Sequence, residues 1–338
     1  MTHPLDLTAR EIADGIRTAR FSAQSVVAES IRRAEIAQAR LNPFTLIRAG
    51  QAMEAARRAD AAVAEGAFTG PLHGVPFVAK DLPPTEGDLT TLGSWMRPDW
   101  RPEEETALCI RRLQAAGAIP IGKTTTPEFA YSSFTRSPGG SSGGSAVTVA
   151  TGVVPFAEGT DMGGSVRIPA AFCGVVGFKP SLGRIPMTIL PSQFDNISHF
   201  GPLARTVADA ISFMEVTAGG SDEDIASLPI GFDCAAARTG SLRGRRFALS
   251  LDLGYYAVQP QVVSLVRQAA ELLRRAGAII DEVAMGWTRA VNDQWFDLWC
   301  VFMSAYFGDD VAACGARVDP AVVAMIARGR MAASEGWT

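Results

Sequence analysis

Lysine is rare in this chain, and the positions of the lysines are the first chemical signal. Of the 31 basic residues among 338, only three are lysines, Lys80, Lys123 and Lys179. An arginine guanidinium stays protonated at ordinary pH, whereas a lysine amine can lose its proton and act as a base. Chance in an arginine-rich composition is one explanation. The other is that a reaction step in this stretch needs an amine that can be deprotonated.

Three residues of the same stretch, Lys80, Ser141 and Ser165, have the types needed to activate a nucleophile. Lys80 ends the apolar segment VPFVAK, where burial would lower its pKa, as a general base requires. Ser165 lies in DMGGSVR, where flexible glycines allow several backbone N–H groups to converge as an oxyanion hole. Ser141, in a second glycine-rich turn, is placed to pass a proton between them. Each loop alone is better explained as an ordinary tight turn.

Two familiar motifs in this region are incomplete. GAIPIGKT, residues 117–124, fits the phosphate-binding loop pattern, but a strand-like IPI lies inside it and Pro120 lacks an N–H. Lys123 is therefore predicted to be structural. The pattern G-x-S-x-G occurs around Ser141 and Ser142, but the residues before it form a turn and not the strand that this motif requires. His199 is the only histidine later in the sequence. This context disfavours a Ser-His-Asp hydrolase.

The elements that must position these residues alternate between helix and strand. Helices are predicted within residues 6–65, where Thr8 and Glu11 form a capping-box pattern and Ser22 is a second N-cap. Further helices are predicted at 102–118, 205–218 and 260–276, and strands at 75–80, 119–124, 153–160, 246–252 and 278–285. This alternation predicts an α/β fold with a largely buried sheet, folded as one domain.

Composition excludes several classes of function. With 47% hydrophobic and 20% charged residues the chain is globular, and a net charge of −4 without a basic tail disfavours nucleic-acid binding. No run of 18 apolar residues and no signal peptide is found, so neither membrane insertion nor export is expected. The five cysteines are widely spaced, which argues against disulfides and zinc and for a cytoplasmic location.

Taken together, three segments resemble the amidase signature family: GVPFVAKD, PGGSSGGSA and GTDMGGSVRIPAAFCGVVGFKPSLGRIP. The similarity extends from about residue 5 to residue 225. It implies an α/β fold in which a mixed β-sheet is covered by helices on both faces, here expected to be incomplete at the C-terminus. We expect a single amidase domain over residues 1–338. Its expected parts are a helical N-terminal wrap (1–65), a signature core (66–225) and a shortened C-terminal part (226–338).

The resemblance also implies a Ser-Ser-Lys triad that works without a metal or a cofactor. Carried over by motif, Lys80 is the base, Ser165 is the nucleophile, and Ser141 is the bridging serine, commonly with a cis peptide bond. Asp161 and Arg167 are expected to brace the loop as structural support. The oxyanion hole is expected at four backbone positions, Met162, Gly163, Gly164 and Ser165.

Two departures from the family pattern affect the expected pocket. Only nine residues, 130–138, separate Phe129 from Gly139, and Tyr131 and Phe134 are the expected substrate-binding residues there. The chain also ends earlier than most relatives, so either the sheet is short by one element or the chain is a fragment. An unpaired sheet edge would invite aggregation or pairing with another chain. The aromatic stretch 292–307 is expected to belong to the core, with an edge cover, an acyl pocket or a homodimer surface as alternatives.

The reaction implied by the resemblance is hydrolysis of a small-molecule amide to an acid and ammonia or an amine, through an acyl-enzyme. Esters, aryl amides and carbamates all stay open as substrates. One alternative is a glutaminase of the amidotransferase A-type, which needs a partner chain. Another is a truncated relative without activity.

Overall fold

A six-stranded sheet lies at the centre of the fold. The computed structural model describes residues 3–94, 101–132, 139–192, 194–314 and 317–336. The strands of this sheet are β1 (Phe44–Ile47), β2 (Pro76–Lys80), β3 (Ile119–Thr124), β4 (Phe156–Asp161), β5 (Val176–Gly177) and β6 (His199–Ala204). Their order across the sheet is β1-β3-β2-β4-β6-β5.

The sheet is mixed, and its two central strands are buried on both faces. β2 runs parallel to β3 and β4, whereas β1 pairs antiparallel with β3, and β6 pairs antiparallel with β4 and β5. Every residue of β2 and β4 is buried. Because successive side chains of a strand point to opposite faces, the sheet is covered on both of them. Parallel pairing also brings the carboxyl ends of β2 and β4 to one edge of the sheet.

Helices connect the strands, and the N-terminal ones begin where the sequence predicts. Thr8 Oγ1 accepts the Glu11 N–H while the Glu11 carboxylate accepts the Thr8 N–H, so the predicted capping box is confirmed. Ser22 caps the second helix by accepting the Ser25 N–H. The α-helices are α1 (Ala9–Arg17), α2 (Ala23–Leu41), α3 (Ala49–Ala64), α4 (Leu108–Ala115), α5 (Gly143–Ala150), α6 (Arg167–Cys173), α7 (Val207–Thr217), α8 (Cys234–Thr239), α9 (Pro260–Arg275), α10 (Arg289–Cys314) and α11 (Pro320–Ser334).

Two predicted helical segments are wrong. Residues 102–107 are not helical, because Glu103 forms a bridge with Glu86 and exchanges backbone hydrogen bonds with Gly87 and Asp88. The helix there is limited to α4. Within residues 6–65, the four residues of β1 form a strand because they pair with β3. A run of four residues is too short for its periodicity to separate strand from helix.

The chain contains two compact units, Met1–Cys234 with Asp309–Val323 and Ala235–Gly308 with Ala324–Thr338. The second unit holds a parallel pair of strands, β7 (Arg246–Leu249) and β8 (Ile279–Glu282), close to the predicted strands. The aromatic side chains at 295–299 are half-buried and not fully in a core as expected, with the Trp295 and Trp299 rings stacked 5.1 Å apart. The single-domain organisation stays a prediction. No helix among the described residues combines the length and apolarity needed to cross a membrane.

Candidate active site

Lys80 lies at the carboxyl end of β2 with none of its surface exposed to solvent. Its Nζ is 2.6 Å from Ser141 Oγ and 2.8 Å from Thr160 Oγ1. Burial lowers the pKa of Lys80, and the nearby carboxylates of Glu158 and Asp161 offset only part of this effect. The amine is therefore within hydrogen-bond distance of the Ser141 hydroxyl, and burial favours its neutral form.

The two adjacent serines of the PGGSSGGSA segment have different partners. The peptide bond between Gly140 and Ser141 is cis, and the Ser141 hydroxyl accepts a hydrogen bond from Lys80 Nζ. Ser142 Oγ is held by β4, since it donates to the Thr160 C=O at 3.2 Å and accepts the Thr160 N–H at 3.3 Å. Ser142 thus fastens the turn to the sheet, while Ser141 contacts the amine.

Ser165 lies in the turn between β4 and α6. Its backbone C=O accepts the Ser142 N–H at 3.2 Å, which ties this turn to the one carrying Ser141. Ser165 is half-buried, whereas Ser141 and Lys80 are buried. This difference suits a nucleophile that meets substrate and a base that does not. A hydrogen bond between the Ser141 and Ser165 hydroxyls stays a prediction.

Asp161 holds the turn that carries Ser165. The carboxylate is fully buried and accepts the Gly164 N–H at 2.7 Å and the Val166 N–H at 3.1 Å. Arg167 adds two hydrogen bonds, from Nε at 3.0 Å and from a terminal guanidinium nitrogen at 2.9 Å. Burial alone would raise the pKa of Asp161, but the hydrogen bonds and charge of Arg167, with the two amides, lower it. The loop is closed around a carboxylate that stays ionised.

The contacts of Asp161 bear on the expected oxyanion hole. The Gly164 N–H donates to the Asp161 carboxylate, so it is already used within the loop and does not point to a substrate oxygen. An oxyanion role for the backbone N–H groups of Met162, Gly163 and Ser165 stays a prediction. The turn requires glycine at position 164, because Gly164 has a φ of +115°, a conformation that favours glycine.

The expected substrate-binding residues lie on the segment after β3. Tyr131 is half-buried, and its hydroxyl donates to Asp319 Oδ2 at 2.7 Å. Burial first, and then the hydrogen bond and charge of Asp319, raise the pKa of Tyr131 to about 12. Glu128 accepts the Asp319 N–H at 2.7 Å, so two residues of this segment contact Asp319. Phe134 lies outside the described residues. The substrate-binding role of both aromatics stays a prediction.

The other two lysines have structural partners. Lys123 lies in β3, buried, with its Nζ 2.6 Å from Thr90 Oγ1 and 3.6 Å from Asp81. Because GAIPIGKT contains a strand and not a strand-to-helix turn, the prediction that Lys123 is structural is confirmed. Lys179 donates to the Pro180 C=O at 2.9 Å. Among the described residues, no group of His, Cys, Asp and Glu side chains is arranged to hold a metal ion.

Sequence reasoning missed two residues that contact Lys80. Thr160 places its hydroxyl on the amine, and Glu158 accepts the Lys80 backbone N–H at 2.8 Å. Both lie in β4, 78 and 80 positions further along the chain. The available sequence signal is an acidic residue inside the otherwise apolar segment VVPFAEGT. A carboxyl group in a buried strand needs a polar partner, and that partner lies in the neighbouring strand.

Comparison with proteins of known sequence places this chain among amidases. Residues 25–332 match the family described as Amidase. The chain is 37% identical over 296 residues to the A-type chain of the glutamyl-tRNA(Gln) amidotransferase of Moorella thermoacetica, covering 82% of this chain and 60% of that relative. It is 35% identical over 309 residues to an acylamidase of Rhodococcus erythropolis, covering 87% of this chain and 65% of that protein. The chain thus spans about 60% of the length of the curated relatives it matches.

Solved structures agree with this placement. A bacterial aryl acylamidase described as an amidase signature enzyme superposes with a TM-score of 0.88 at 29% identity, covering 95% of this chain and 71% of that one. The native peptide amidase from Stenotrophomonas maltophilia gives a TM-score of 0.77 at 28% identity, covering 90% of this chain and 68% of that one. The predicted mixed α/β architecture and the resemblance are confirmed. On sequence and on structure, this chain belongs to the amidase signature family.

Proposed function

We propose that this chain hydrolyses a carboxylic amide to an acid and ammonia or an amine, through an acyl-enzyme formed on Ser165. The observation that supports this most is the 2.6 Å contact between the buried Lys80 Nζ and Ser141 Oγ. An amine whose pKa is lowered by burial is neutral nearer to physiological pH than an exposed lysine, so it can act as a general base.

In the first half of the proposed reaction, neutral Lys80 takes the proton of Ser141 as Ser141 takes the proton of Ser165. Ser165 Oγ then attacks the amide carbon, and the carbonyl oxygen becomes an oxyanion held by backbone N–H groups of Met162, Gly163 and Ser165. As the C–N bond breaks, the proton held on Lys80 returns through Ser141 to the leaving nitrogen. Ammonia or an amine departs, and the acyl group stays on Ser165.

In the second half, water attacks the acyl-enzyme. The relay works again, because Lys80 receives a proton from water through Ser141 and returns it to Ser165 Oγ when the ester bond breaks. The acid departs and the starting state is restored. Each proton taken is given back within the cycle, so the three side chains suffice as proton carriers.

The substrate class that we propose is small acyl amides of aryl or alkyl amines. The likeness to an aryl acylamidase and to an acylamidase supports this choice. Esters and carbamates are accessible to the same chemistry, because they present a carbonyl carbon with a leaving group.

A second candidate is a glutaminase chain that supplies ammonia to a partner enzyme. The observation that favours it is the 37% identity to A-type amidotransferase chains. Such a chain would release ammonia from glutamine only when the partner chains are added. We favour the independent amidase because the similar solved structures include an aryl acylamidase and a peptide amidase.

The experiment is turnover by the purified chain on a panel of para-nitroacetanilide, an aliphatic amide, glutamine, an aryl carbamate and an aryl ester. Labelling by a fluorophosphonate, followed by peptide mapping, identifies the nucleophile independently of the substrate. We expect amide turnover and a label on Ser165, both lost in Ser165→Ala. Labelling of Ser165→Ala at the wild-type rate would show that the nucleophile is another residue. Labelling without turnover of any substrate would favour the glutaminase that needs partner chains, whereas absence of both labelling and turnover would indicate the relative without activity.

We further propose a reducing, cytoplasmic location, because all five cysteines are thiols in the described structure.

Size-exclusion chromatography with light scattering tests whether the chain is a monomer or a homodimer. The half-buried aromatic residues at 295–299 support a homodimer, since they leave apolar surface that a second copy can cover.

A further inference from the structure

A buried carboxylate that the proposed proton relay does not use lies beside Lys80. Glu158, in β4, has none of its surface exposed, and its Oε2 accepts the Lys80 backbone N–H at 2.8 Å. Its Oε1 is buried and has no hydrogen-bond donor among the residues that the structure describes. Burying a carboxylate costs free energy unless a charge or hydrogen bonds compensate. A fully buried glutamate with one unpartnered oxygen therefore needs an explanation.

The position of Glu158 relative to Lys80 is fixed by the surrounding backbone. β2 and β4 pair in parallel through Val78 and Ala157, just before the two residues. The Glu158 C=O accepts the hydroxyl of Ser145, in α5, at 2.8 Å. The carboxylate thus holds the backbone of β2 at the point where the catalytic amine leaves the sheet.

The other charged groups near Glu158 have partners of their own. Lys123, in β3, forms an ion pair with Asp81. Asp161, at the end of β4, pairs with Arg167. Cys109, in α4, is buried, which raises the pKa of its thiol and keeps it neutral. Glu158 is left as the carboxylate in hydrogen-bond contact with the Lys80 backbone, and both groups are fully buried. Burial raises the pKa of Glu158 to about 7, because the Lys80 N–H and the charges of Lys80 and Lys123 offset only part of the effect of burial. Glu158 and Lys80 therefore titrate as a pair over the same pH range.

We propose that Glu158 is a positioning residue whose negative charge sets the pH at which Lys80 loses its proton. This inference rests on the proposed function, because it assigns Lys80 as the base. A negative charge beside the amine favours its protonated form, so it keeps the proton on Lys80 to a higher pH. Burial acts in the opposite direction. The two effects together set the pH range in which Lys80 can act as a base. The hydrogen bond from the Lys80 N–H keeps the Glu158 carboxylate close to the Lys80 backbone.

The test is the pH dependence of fluorophosphonate labelling in Glu158→Gln. Glutamine keeps an oxygen that accepts the Lys80 N–H but removes the charge. We expect the acid limb of the labelling rate to move down by about 1 pH unit or more, the size expected for loss of a nearby opposite charge. One pH unit below the wild-type midpoint, the fraction of the maximal rate then rises about fivefold, because a base loses its proton according to its pKa.

A second variant and a matched control make the result specific. Glu158→Leu also lacks the charge and suits a buried strand, so the same downward shift is expected even where glutamine disturbs folding. Asp209→Asn changes another fully buried carboxylate, which accepts the Ala9 N–H at 2.6 Å, and is expected to lower Tm without moving the limb. An acid limb that stays at the wild-type pH in the folded Glu158 variants would overturn the role of Glu158. Absence of labelling in the wild type would instead overturn the proposed function.

Discussion

At the level of single residues, the amine of Lys80 is the group on which the proposed activity depends most. It is buried without an ion-pair contact of its own among the described residues, and it is placed by two hydroxyls, those of Ser141 and Thr160. A residue in this setting serves chemistry more than stability, because an apolar side chain of similar length would avoid the cost of burying an amine.

Replacing Lys80 by arginine separates charge from basicity. Lys80→Arg keeps a cation but cannot be deprotonated, so kcat/KM for para-nitroacetanilide is expected to fall by about 10²–10⁴-fold. Tm reports whether the fold survives. The matched control is Lys179→Arg, which changes a half-buried lysine bound to a backbone carbonyl and should keep activity near the wild-type value. Near-normal turnover in folded Lys80→Arg would rule out the base.

Asp161 gives a prediction for stability against pH. Its pKa is lowered in the folded state, so it stabilises the fold above the unfolded carboxyl pKa, and that stability is lost as pH falls through the folded pKa. Asp161→Asn is expected to lower the free energy of unfolding by about 2 kcal/mol at pH 7. The difference from wild type should shrink below about pH 4.

Urea unfolding of both proteins at several pH values measures this effect. Asp14→Asn is the control, because Asp14 pairs with Arg17 at the surface and such pairs contribute less than about 1 kcal/mol. A stability difference for Asp161→Asn that stays constant from pH 7 to well below the unfolded carboxyl pKa would contradict the assignment.

The residues that lie in sequence motifs could be predicted, whereas those that reach Lys80 through the pairing of neighbouring strands could not. Lys80 and Ser141 were predicted from an apolar strand end and a glycine-rich turn, and the structure brings them into contact. Glu158 and Thr160 reach Lys80 only because β4 lies beside β2. Strand order is a property of the folded sheet, and neighbouring strands here are far apart in the sequence.

At the level of elements, the turn before α5 must approach β4 closely. Gly159, in β4, faces Ser142, and a Cβ at this position would lie 2.8 Å from Ser142 Oγ and 3.1 Å from Ser142 Cβ. It would also lie 2.7 Å from Leu203 Cδ1. Glycine is therefore needed for close approach, and the hydrogen bonds between Ser142 and Thr160 depend on it.

Gly159→Ala is expected to push Ser142 away from β4 and to displace Ser141 with it. Such overpacking typically lowers the free energy of unfolding by about 1–3 kcal/mol. A shift in the serine turn should also reduce the labelling rate of Ser165 more than tenfold, because proton relays depend on hydrogen-bond distance. Thermal unfolding and fluorophosphonate kinetics measure the two effects.

Gly50→Ala is the control for this substitution. Gly50 lies in the first turn of α3, and a Cβ there meets nothing within 4 Å. Its stability and labelling rate should match the wild type or improve slightly, since alanine favours a helix. Equal effects of the two alanine substitutions would show that close approach at Gly159 is not required.

Long periodic elements were predicted more accurately than short ones. The helix predicted at 260–276 is observed as Pro260–Arg275, because its apolar repeat spans four turns. The strand at Phe44–Ile47 and the bridge at Glu103 were missed, since both are held by partners distant in the sequence. Local periodicity carries no information about such partners.

At the level of the whole molecule, the second unit exposes much of the apolar surface of α9. Leu265 and Leu272 are each 65% exposed, and Ala270 is the one buried residue of this helix. The helix is amphipathic in sequence, but most of its apolar side chains are exposed. Large exposed apolar patches favour association or binding of hydrophobic dyes.

Replacing Leu265 and Leu272 together by lysine is expected to lower the fluorescence of an apolar dye such as ANS and the light scattering at high protein concentration. Tm and amide turnover should stay near the wild-type values, because neither side chain is buried. The charge-matched control replaces Gln261 and Gln268, two exposed residues of the same helix, by lysine. Equal reductions in both double variants would mean that added charge, and not lost apolar surface, is responsible.

The first unit draws on two stretches of the chain that are separated by the second unit, Met1–Cys234 and Asp309–Val323. The Tyr131 hydroxyl and the Glu128 carboxylate both bind Asp319, which belongs to the later stretch. During translation, the ribosome completes the stretch that carries Lys80, Ser141 and Ser165 long before it makes Asp319. The segment that holds Glu128 and Tyr131 therefore acquires these contacts only after the intervening residues have been synthesised, and folding of this unit finishes late in translation.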